Sequence, residues 1–256
     1  MSTVSRPMNK KWYWRPAVML SALVMVGLGV QCLSYKVNAS GEGTVTGTVR
    51  LSGPAPQMRV LEVSKDPYCA RVRASDPLTQ ETVVAGADNG LANVVIYISE
   101  GLTGNEASTA PADEPVFNQK GCMFVPHVLA LGVNQKFRII MTDRTTHEVH
   151  PLPDPSSGNM PWNESQPPGA PAIVKSWPAA EMIPVKCDIH PWMSAYFAVV
   201  KGPHATTGSD GAFTIDNVPA GKYTLTAWQE VLGTQTAEVE VVPGGSAKAD
   251  FVFKAK

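Results

Sequence analysis

The sequence has a formal net charge of only -1, and it lacks internal repeats, long runs of one charge and, beyond its amino-terminal segment, any stretch with helical periodicity. Its 21 Lys and Arg balance 22 Asp and Glu, so the chain offers no electrostatic footprint for a nucleic acid. The absence of repeats excludes a solenoid. The 22 Pro and 21 Gly, together with many Val and Thr, favour short strands joined by turns. These features predict an all-β protein.

The amino terminus differs from the rest of the chain. Four basic residues precede an uncharged stretch of 17 residues, Ala17 to Leu33, which is the pattern of an export signal. Residues 1–39 are therefore predicted to be a signal cleaved after Ala39, or a membrane anchor that spans through residues 17–33. In either case the remainder is extracytoplasmic: periplasmic or at the cell surface, secreted or anchored to the inner membrane.

Four cysteines are present, and export changes how they are interpreted. Cys32 belongs to the signal and Cys187 to a motif described below, which leaves Cys69 and Cys122. Because exposed thiols rarely persist in an oxidising compartment, a disulfide between these two is favoured over two unrelated buried thiols. It would contribute about 4 kcal/mol in the chain-entropy account.

Alternating and apolar segments predict the strands of a sandwich, followed by a smaller β module. The expected strands are 44–51, 93–99, 124–131, 135–142, 183–186, 195–201, 211–215, 223–228 and 237–242, with weaker signals at 58–63 and 82–84. The Pro- and Gly-rich stretch 151–180 is predicted to be a long surface loop.

The motif Cys187-Asp-Ile-His190-Pro-Trp-Met193 carries the most chemical information. A thiolate, an imidazole and a thioether on one loop form a donor set that suits Cu(I)/Cu(II), whereas zinc sites use further cysteines or carboxylates. A second imidazole is available at His147 or His150, which face opposite ways in an extended strand. His127 is expected to be a satisfied or surface histidine rather than a ligand.

These residues resemble the cupredoxins, the amicyanin- and plastocyanin-like type 1 blue copper proteins. The resemblance rests on Cys-x2-His-x2-Met after an earlier His-x2-His, and on the F-x-P-x-x-L-x-L stretch that begins at Phe124. It covers about residues 43–201 and implies one copper ion. The implied ligands are His147, Cys187, His190 and Met193, with methionine as the weak axial ligand.

One departure from the family concerns the residues that follow two of the ligands. Related proteins carry Asn after the first ligand histidine and Ser or Thr after the cysteine, whereas this chain has Glu148 and Asp188. Two facing carboxylates must repel, share a proton or turn to other partners. Because groups around the ligands tune the metal, a pH-sensitive potential is expected.

Residues 202–256 form a separate predicted module. The sequence D-G-x-F-x-I followed by N-V-P-A-G-x-Y-x-L-x-A resembles the transthyretin-like, carboxypeptidase-regulatory-like β modules, which are also classed with carbohydrate-binding-like folds. A fold does not specify an activity. The module is interpreted as a stabilising or spacing unit, with docking or sugar binding as the alternative.

The function implied by the resemblance is one-electron transfer without enzymatic turnover. The ring edge of His190 is expected near the surface, where Pro191 and Trp192 would dock a redox partner such as a c-type cytochrome or a membrane oxidoreductase. A copper oxidase is disfavoured because no two histidines are two residues apart and the loop has one cysteine. The alternatives are periplasmic copper binding and delivery, or a metal-free cell-surface binding or structural protein.

Overall fold

The computed structural model describes residues 41–103 and 112–255, and within these ranges the chain is built almost entirely of strands, which confirms the all-β prediction. In chain order the elements are β1 (Glu42–Ser52), α1 (Pro67–Val72), a 3-10 turn (Ala87–Asn89), β2 (Val95–Glu100), β3 (Val116–Gln119), β4 (Phe124–Val125), β5 (Val128–Gly132), β6 (Phe137–Met141), β7 (His147–Pro151), β8 (Glu164–Gln166), β9 (Ile173–Lys175), β10 (Glu181–Lys186), β11 (Ser194–Val200), β12 (His204–Thr206), β13 (Ala212–Pro219), β14 (Gly221–Gln229), β15 (Gly233–Val241), β16 (Ser246–Lys248) and β17 (Phe251–Lys254).

The expected signal or anchor, residues 17–33, lies outside the described residues. Among the residues that are described, no helix has the length and apolar character needed to cross a bilayer.

The first sandwich contains β3 to β11. One sheet has the strand order β5-β11-β10-β7-β8 and the other β4-β3-β6-β9. Inward-facing residues of both sheets form one buried core, in which the rings of Phe117 and Phe137 each lie within 5 Å of the ring of Phe197. This core holds the strands in place at the end of the sandwich where β10 turns into β11.

The second sandwich combines strands from both ends of the chain. Strand β1 pairs with β13, β16 and β17, and β2 lies between β12 and β14 in the facing sheet. A single core includes Val45 and Val49 of β1, Ile96 of β2 and Phe251 of β17. The predicted boundary between residues 201 and 202 therefore does not separate the two cores. Strands β12 to β17 need β1 and β2 as neighbours, so the second sandwich is discontinuous in sequence.

Several local predictions were wrong in detail. The strand expected over 124–131 is two strands, β4 and β5, broken at the cis peptide bond between Val125 and Pro126, where proline cannot donate to a ladder. The weak strand signal at 58–63 corresponds to one isolated bridge, Val60 to Thr79.

Helix α1 was not expected, because six residues are too few to show a helical period. Asp66 initiates it as N-cap, its side chain accepting a hydrogen bond from the Cys69 amide at 2.8 Å, and proline occupies the first turn. Both are common helix-start signals.

The stretch 151–180 is not a simple surface loop. It contains β8, which pairs with β7, and β9, which pairs with β6, so it extends one edge of each sheet of the first sandwich. Trp177 is 2% exposed in the core. This irregular stretch is therefore a structural part of the first sandwich and forms one edge of each of its sheets.

The two sandwiches are joined by a buried charged pair as well as by apolar contacts. His127 lies just before β5, and its Nε2 is 2.5 Å from an Oε1 of Glu230, in the turn after β14, while its Nδ1 is 3.2 Å from the Ser194 carbonyl oxygen. Both partners are acceptors, so the imidazole satisfies them only when it is doubly protonated. Burial lowers the pKa of His127, but the carboxylates of Glu230 and Glu81 outweigh it and raise that pKa. As expected, His127 is a satisfied histidine.

Replacement of Glu230 by glutamine should lower the free energy of unfolding by about 3 kcal/mol, because it leaves a buried imidazolium without its counter-ion. The pKa of His127 is higher in the folded state than the usual value near 6.5 of an unfolded histidine. The stabilisation is therefore complete below about pH 6.5 and is lost as pH rises through the folded-state pKa. Urea unfolding at pH 6 and pH 9 measures the difference.

The matched control is Glu240→Gln, since Glu240 forms only an exposed pair with Lys222 and such pairs contribute little. An equal loss of stability in the two variants, or a loss for Glu230→Gln that is the same at both pH values, would contradict the assignment of a buried imidazolium.

Candidate metal centre

The loop between β10 and β11 holds Cys187, His190 and Met193. Its base is closed by the pairing of Lys186 with Ser194, and the amide of Met193 donates to the His190 carbonyl at 2.9 Å. The Cys187 sulfur accepts two backbone hydrogen bonds of 3.3 Å, from the amides of His190 and Glu148. The position of the sulfur is thus fixed from two separate chain segments.

Strand β7 brings His147 to this loop. It pairs with β10 through Lys186 and His150, and its residues alternate in burial. His147 and Val149 consequently face the core, whereas Glu148 and His150 face outward. Of the two histidines in His-x2-His, only His147 reaches the donor atoms of Cys187 and His190, whereas His150 contacts Asp188 on the outer side of the loop.

Three donor atoms converge in the buried interior. The Nδ1 atoms of His147 and His190 are 2.7 Å apart, and the Cys187 sulfur is 3.8 Å from the Nδ1 of His190. These three side chains are at most 2% exposed, and their donor atoms lie within 4.8 Å of one another. Met193, also 2% exposed, belongs to the same core cluster as Cys187.

Each imidazole is held on its far side by a carboxylate. The Nε2 of His147 is 3.0 Å from an Oδ2 of Asp143, and the Nε2 of His190 is 3.2 Å from an Oδ2 of Asp66. Since a carboxylate accepts, each Nε2 carries the proton and each Nδ1 presents its lone pair. Two such lone pairs 2.7 Å apart repel each other unless one Nδ1 takes up a proton and donates it to the other, or both bind a metal ion, so the arrangement fits a metal ion.

The sequence contained little sign of these carboxylates. Asp143 stands four residues before His147, in the turn that follows β6, and its position near a ligand could have drawn attention. Asp66 is remote from both histidines in sequence and reaches the site only because α1 packs there. Carboxylates of this kind orient ligand histidines and raise their basicity.

The pKa values of the two imidazoles shift in opposite directions. Burial lowers the pKa of His147, but the hydrogen bonds and charges of Asp143 and Cys187 outweigh it and the pKa is raised. Burial dominates at His190 and lowers its pKa, with a further lowering by the charge on His147. Burial raises the pKa of Asp143 and of Asp66, but the hydrogen bonds that each accepts outweigh it and lower that pKa, so both are ionised at neutral pH.

The donor set suits copper. Two imidazole nitrogens with one thiolate, and a thioether in the same core, combine soft and borderline ligands in the proportions of a mononuclear copper site. Structural zinc sites use four strong ligands, commonly several cysteines. The residues present therefore fit the copper ion that the sequence predicts.

The sequence left three arrangements open for Glu148 and Asp188: repulsion, a shared proton, or other partners. The structure has the last of these. Asp188 turns to other partners, the Nδ1 of His150 and the Nζ of Lys186, each at 2.7 Å. The side-chain amide of Asn163 lies between the two carboxylates, 3.0 Å from an oxygen of Asp188 and 3.5 Å from one of Glu148. The two acids therefore have no need to share a proton.

A covering segment, formed by α1 and the residues next to it and held by a disulfide, lies over the Nε2 side of His147 and His190. Cys69, on α1, is bonded to Cys122 in the turn before β4, and both are fully buried. This is the pair that the sequence predicts. Tyr68 donates to Asp143 at 3.2 Å, and Thr145 donates to Asp66 at 2.9 Å. The cover is thus tied both to the disulfide and to the residues that hold the imidazoles.

The predicted exposure of His190 is wrong. Its side chain is only 2% exposed because the covering segment lies over it. Trp192 is half-buried, packs against the disulfide and donates from Nε1 to the Cys122 carbonyl at 3.2 Å. Pro191 remains exposed, and so does Ile189, at 45%. The exposed apolar surface of the loop is therefore formed by Pro191 together with Ile189, and Trp192 contributes less to it than expected.

Comparisons with known proteins identify the second sandwich more clearly than the first. Residues 199–254 match the Carboxypeptidase regulatory-like domain, which confirms the predicted type of module. No curated protein matches the chain.

Solved structures of copper proteins resemble the chain at low identity. A purple cupredoxin from Nitrosopumilus maritimus has 12% identity and a TM-score of 0.29, over 34% of this chain and 99% of its own. Amicyanin from Paracoccus versutus has 16% identity and a TM-score of 0.29, over 41% and 96%. The Cu-containing nitrite reductase of Thermus scotoductus SA-01 has 14% identity and a TM-score of 0.30, over 59% of this chain, which spans only 28% of that enzyme.

Replacement of Asp143 by asparagine should lower copper affinity by about 10–100-fold, the range seen when an outer partner of a metal-bound histidine is removed. The amide cannot supply the charge that supports the His147 imidazole. Competition with a chromophoric copper chelator measures the affinity.

Asp188→Asn is the control, because Asp188 contacts His150 and Lys186 rather than a ligand ring. If both variants bind copper as tightly as the parent chain, Asp143 does not support the ligand in the way its geometry indicates.

Proposed function

We propose that this chain is an exported mononuclear copper protein that carries one electron at a time. The supporting observation is the convergence of two imidazole lone pairs, 2.7 Å apart, with the buried thiolate of Cys187. Bound copper would supply a one-electron couple between Cu(I) and Cu(II). The ligands would be His147, Cys187, His190 and Met193, as the sequence predicts.

The protein contributes rigidity. Cys187 is fixed by two amide donors, and each imidazole is fixed by a carboxylate. Ligands that are locked by their surroundings move little when the charge of the metal changes. A preorganised, dry site of this kind avoids the reorganisation that slows electron transfer.

The covering segment favours an electron carrier over copper delivery. Delivery requires ligands that another protein can reach, whereas His147 and His190 are at most 2% exposed and lie behind a disulfide. A metal-free binding protein is less favoured, because it gives no role to the buried donor atoms of His147, Cys187 and His190, which lie within 4.8 Å of one another.

The proposed location is extracytoplasmic. The basic and apolar pattern of residues 1–39 supports export, and a disulfide between Cys69 and Cys122 suits an oxidising compartment. Whether residues 17–33 are cleaved or retained as an inner-membrane anchor decides between a soluble and a tethered carrier.

The proposed partner is a redox protein such as a c-type cytochrome or a membrane oxidoreductase. The exposed part of the ligand loop, Ile189 and Pro191, is the proposed docking surface. Small and partly apolar contacts suit transient electron-transfer encounters.

Addition of Cu(II) to the purified chain should produce intense visible absorption that ascorbate bleaches and reoxidation restores, since a thiolate-bound Cu(II) ion is strongly coloured. Cys187→Ser should abolish the colour. His150→Ala is the control and should keep it, because His150 faces away from the donors.

Tight binding of Cu(I) without colour would instead support copper delivery. Copper content that is unchanged in Cys187→Ser would support the metal-free alternative and overturn the proposed site.

Ile189→Ser should slow electron transfer to a soluble c-type cytochrome by about fivefold, the effect of roughly 1 kcal/mol lost from a contact surface. Stopped-flow mixing of the reduced chain with the oxidised cytochrome gives the second-order rate. Val252→Ser is the control, since Val252 is similarly exposed, at 55%, on the second sandwich. Equal rates for the two variants would remove Ile189 from the docking surface.

A further inference from the structure

The disulfide lies directly against the outer side of both ligand histidines. The sulfur of Cys69, a carboxylate oxygen of Asp66 and a nitrogen of His190 are all within 4.8 Å of one another. The sulfur of Cys122 is equally close to Asp143 and His147. The two bonded sulfurs thus lie beside two carboxylates and two imidazoles. A crosslink with a purely structural role does not need so many potential metal ligands around it.

We propose that Cys69 and Cys122, in their dithiol state, bind a second thiophilic cation, Cu(I), with Asp66 as the third ligand. This site is on the Nε2 side of the histidines, opposite the Nδ1 atoms that face Cys187. It uses none of the donor atoms of the proposed mononuclear site.

Asp66 rather than Asp143 is proposed as the third ligand, because only Asp66 has a lone pair that accepts no hydrogen bond. Asp143 already accepts from the side chains of Tyr68 and His147 and from the amides of Gly121 and Cys122. These four bonds use its lone pairs.

Asp66 accepts only three bonds, from the Cys69 amide, Thr145 and His190. One lone pair therefore remains available on a carboxylate that is next to both sulfurs.

Charge and softness favour Cu(I) in this position. Thiolates are the soft ligands that select Cu(I), and both cysteines are fully buried. The N–H groups of the two imidazoles and the backbone amides of both cysteines donate to Asp66 and Asp143 and stabilise the charges of these carboxylates. The monovalent ion itself offsets charge on the two thiolates.

The chemistry balances with a dithiol reductant. Thiol–disulfide exchange transfers two electrons and two protons to Cys69 and Cys122 and converts the reductant into its own disulfide. Binding of Cu(I) then releases the two thiol protons, and the oxidation state of the metal does not change. The newly made chain, before its disulfide forms, is in the same dithiol state.

The test counts the Cu(I) ions that reduction adds. The full chain, carrying Cys32→Ser so that Cys187 is the one remaining thiol outside the pair and is present in both samples, is prepared in its disulfide form and, with dithiothreitol removed under anaerobic conditions, in its dithiol form. Both are titrated with Cu(I) against a chromophoric Cu(I) chelator. Reduction should add one ion per chain.

Two variants separate this site from the mononuclear site. In Cys187→Ser, reduction should still add one ion, so that failure of the mononuclear site leaves the second site measurable. In Cys69→Ser/Cys122→Ser, dithiothreitol treatment should add none. X-ray absorption of the dithiol form of Cys187→Ser with one equivalent of Cu(I) should show two sulfur ligands, a readout that does not depend on the double variant folding.

The proposal is overturned if reduction adds no ion to the Cys32→Ser chain, or if the copper in the dithiol form of Cys187→Ser has fewer than two sulfur ligands. An added ion that persists in a folded double variant would also overturn it.

Discussion

In the interior of this protein, the Nδ1 atoms of His147 and His190 lie 2.7 Å apart, and each ring carries its proton on the opposite nitrogen. The surrounding structure depends on that contact. The contact is unfavourable while both nitrogens are unprotonated, and it becomes favourable when a metal ion binds to both or when one ring takes up a proton and donates it to the other. Asp143 and Asp66 create the situation by holding the proton of each ring on the opposite nitrogen. The carboxylates therefore decide the identity of the site as much as the ligands do, because they determine which atoms of the histidines are free to bind.

The same carboxylates explain the unusual enclosure of the site. Asp66 caps helix α1, which also carries Cys69, so the segment that orients His190 is pinned to Cys122 by the disulfide. Burial of both histidines follows from this connection. For the proposed electron carrier this means a site with few exposed atoms, without direct contact between His190 and a partner.

The second sandwich is structurally connected to the rest of the chain. Its core needs β1 and β2 from the amino-terminal half of the chain, and Glu230 in its β14–β15 turn binds His127, which in turn contacts the carbonyl of Ser194 beside Met193. A charged pair of this kind specifies one arrangement of two modules, because any other arrangement leaves a buried charge unpaired. The regulatory-like domain thus supports the end of the ligand loop.

The sequence by itself determined the strand-rich class, the soft donors of the loop and the type of the carboxy-terminal module, since alternation, spacing and ligand softness are local properties. Alternation limited the second imidazole to one of His147 and His150, and the tertiary structure selected His147. Only the tertiary structure decided that Asp66 and Asp143 hold the imidazoles, that His190 is covered, that Asn163 separates Glu148 from Asp188, and that β1 completes the second core. Apart from the pairing of Asp143 with His147, which are four residues apart, these features depend on contacts between more distant residues of the chain. The partners of a buried polar group are set by which segments pack together, and residue spacing carries no record of that packing.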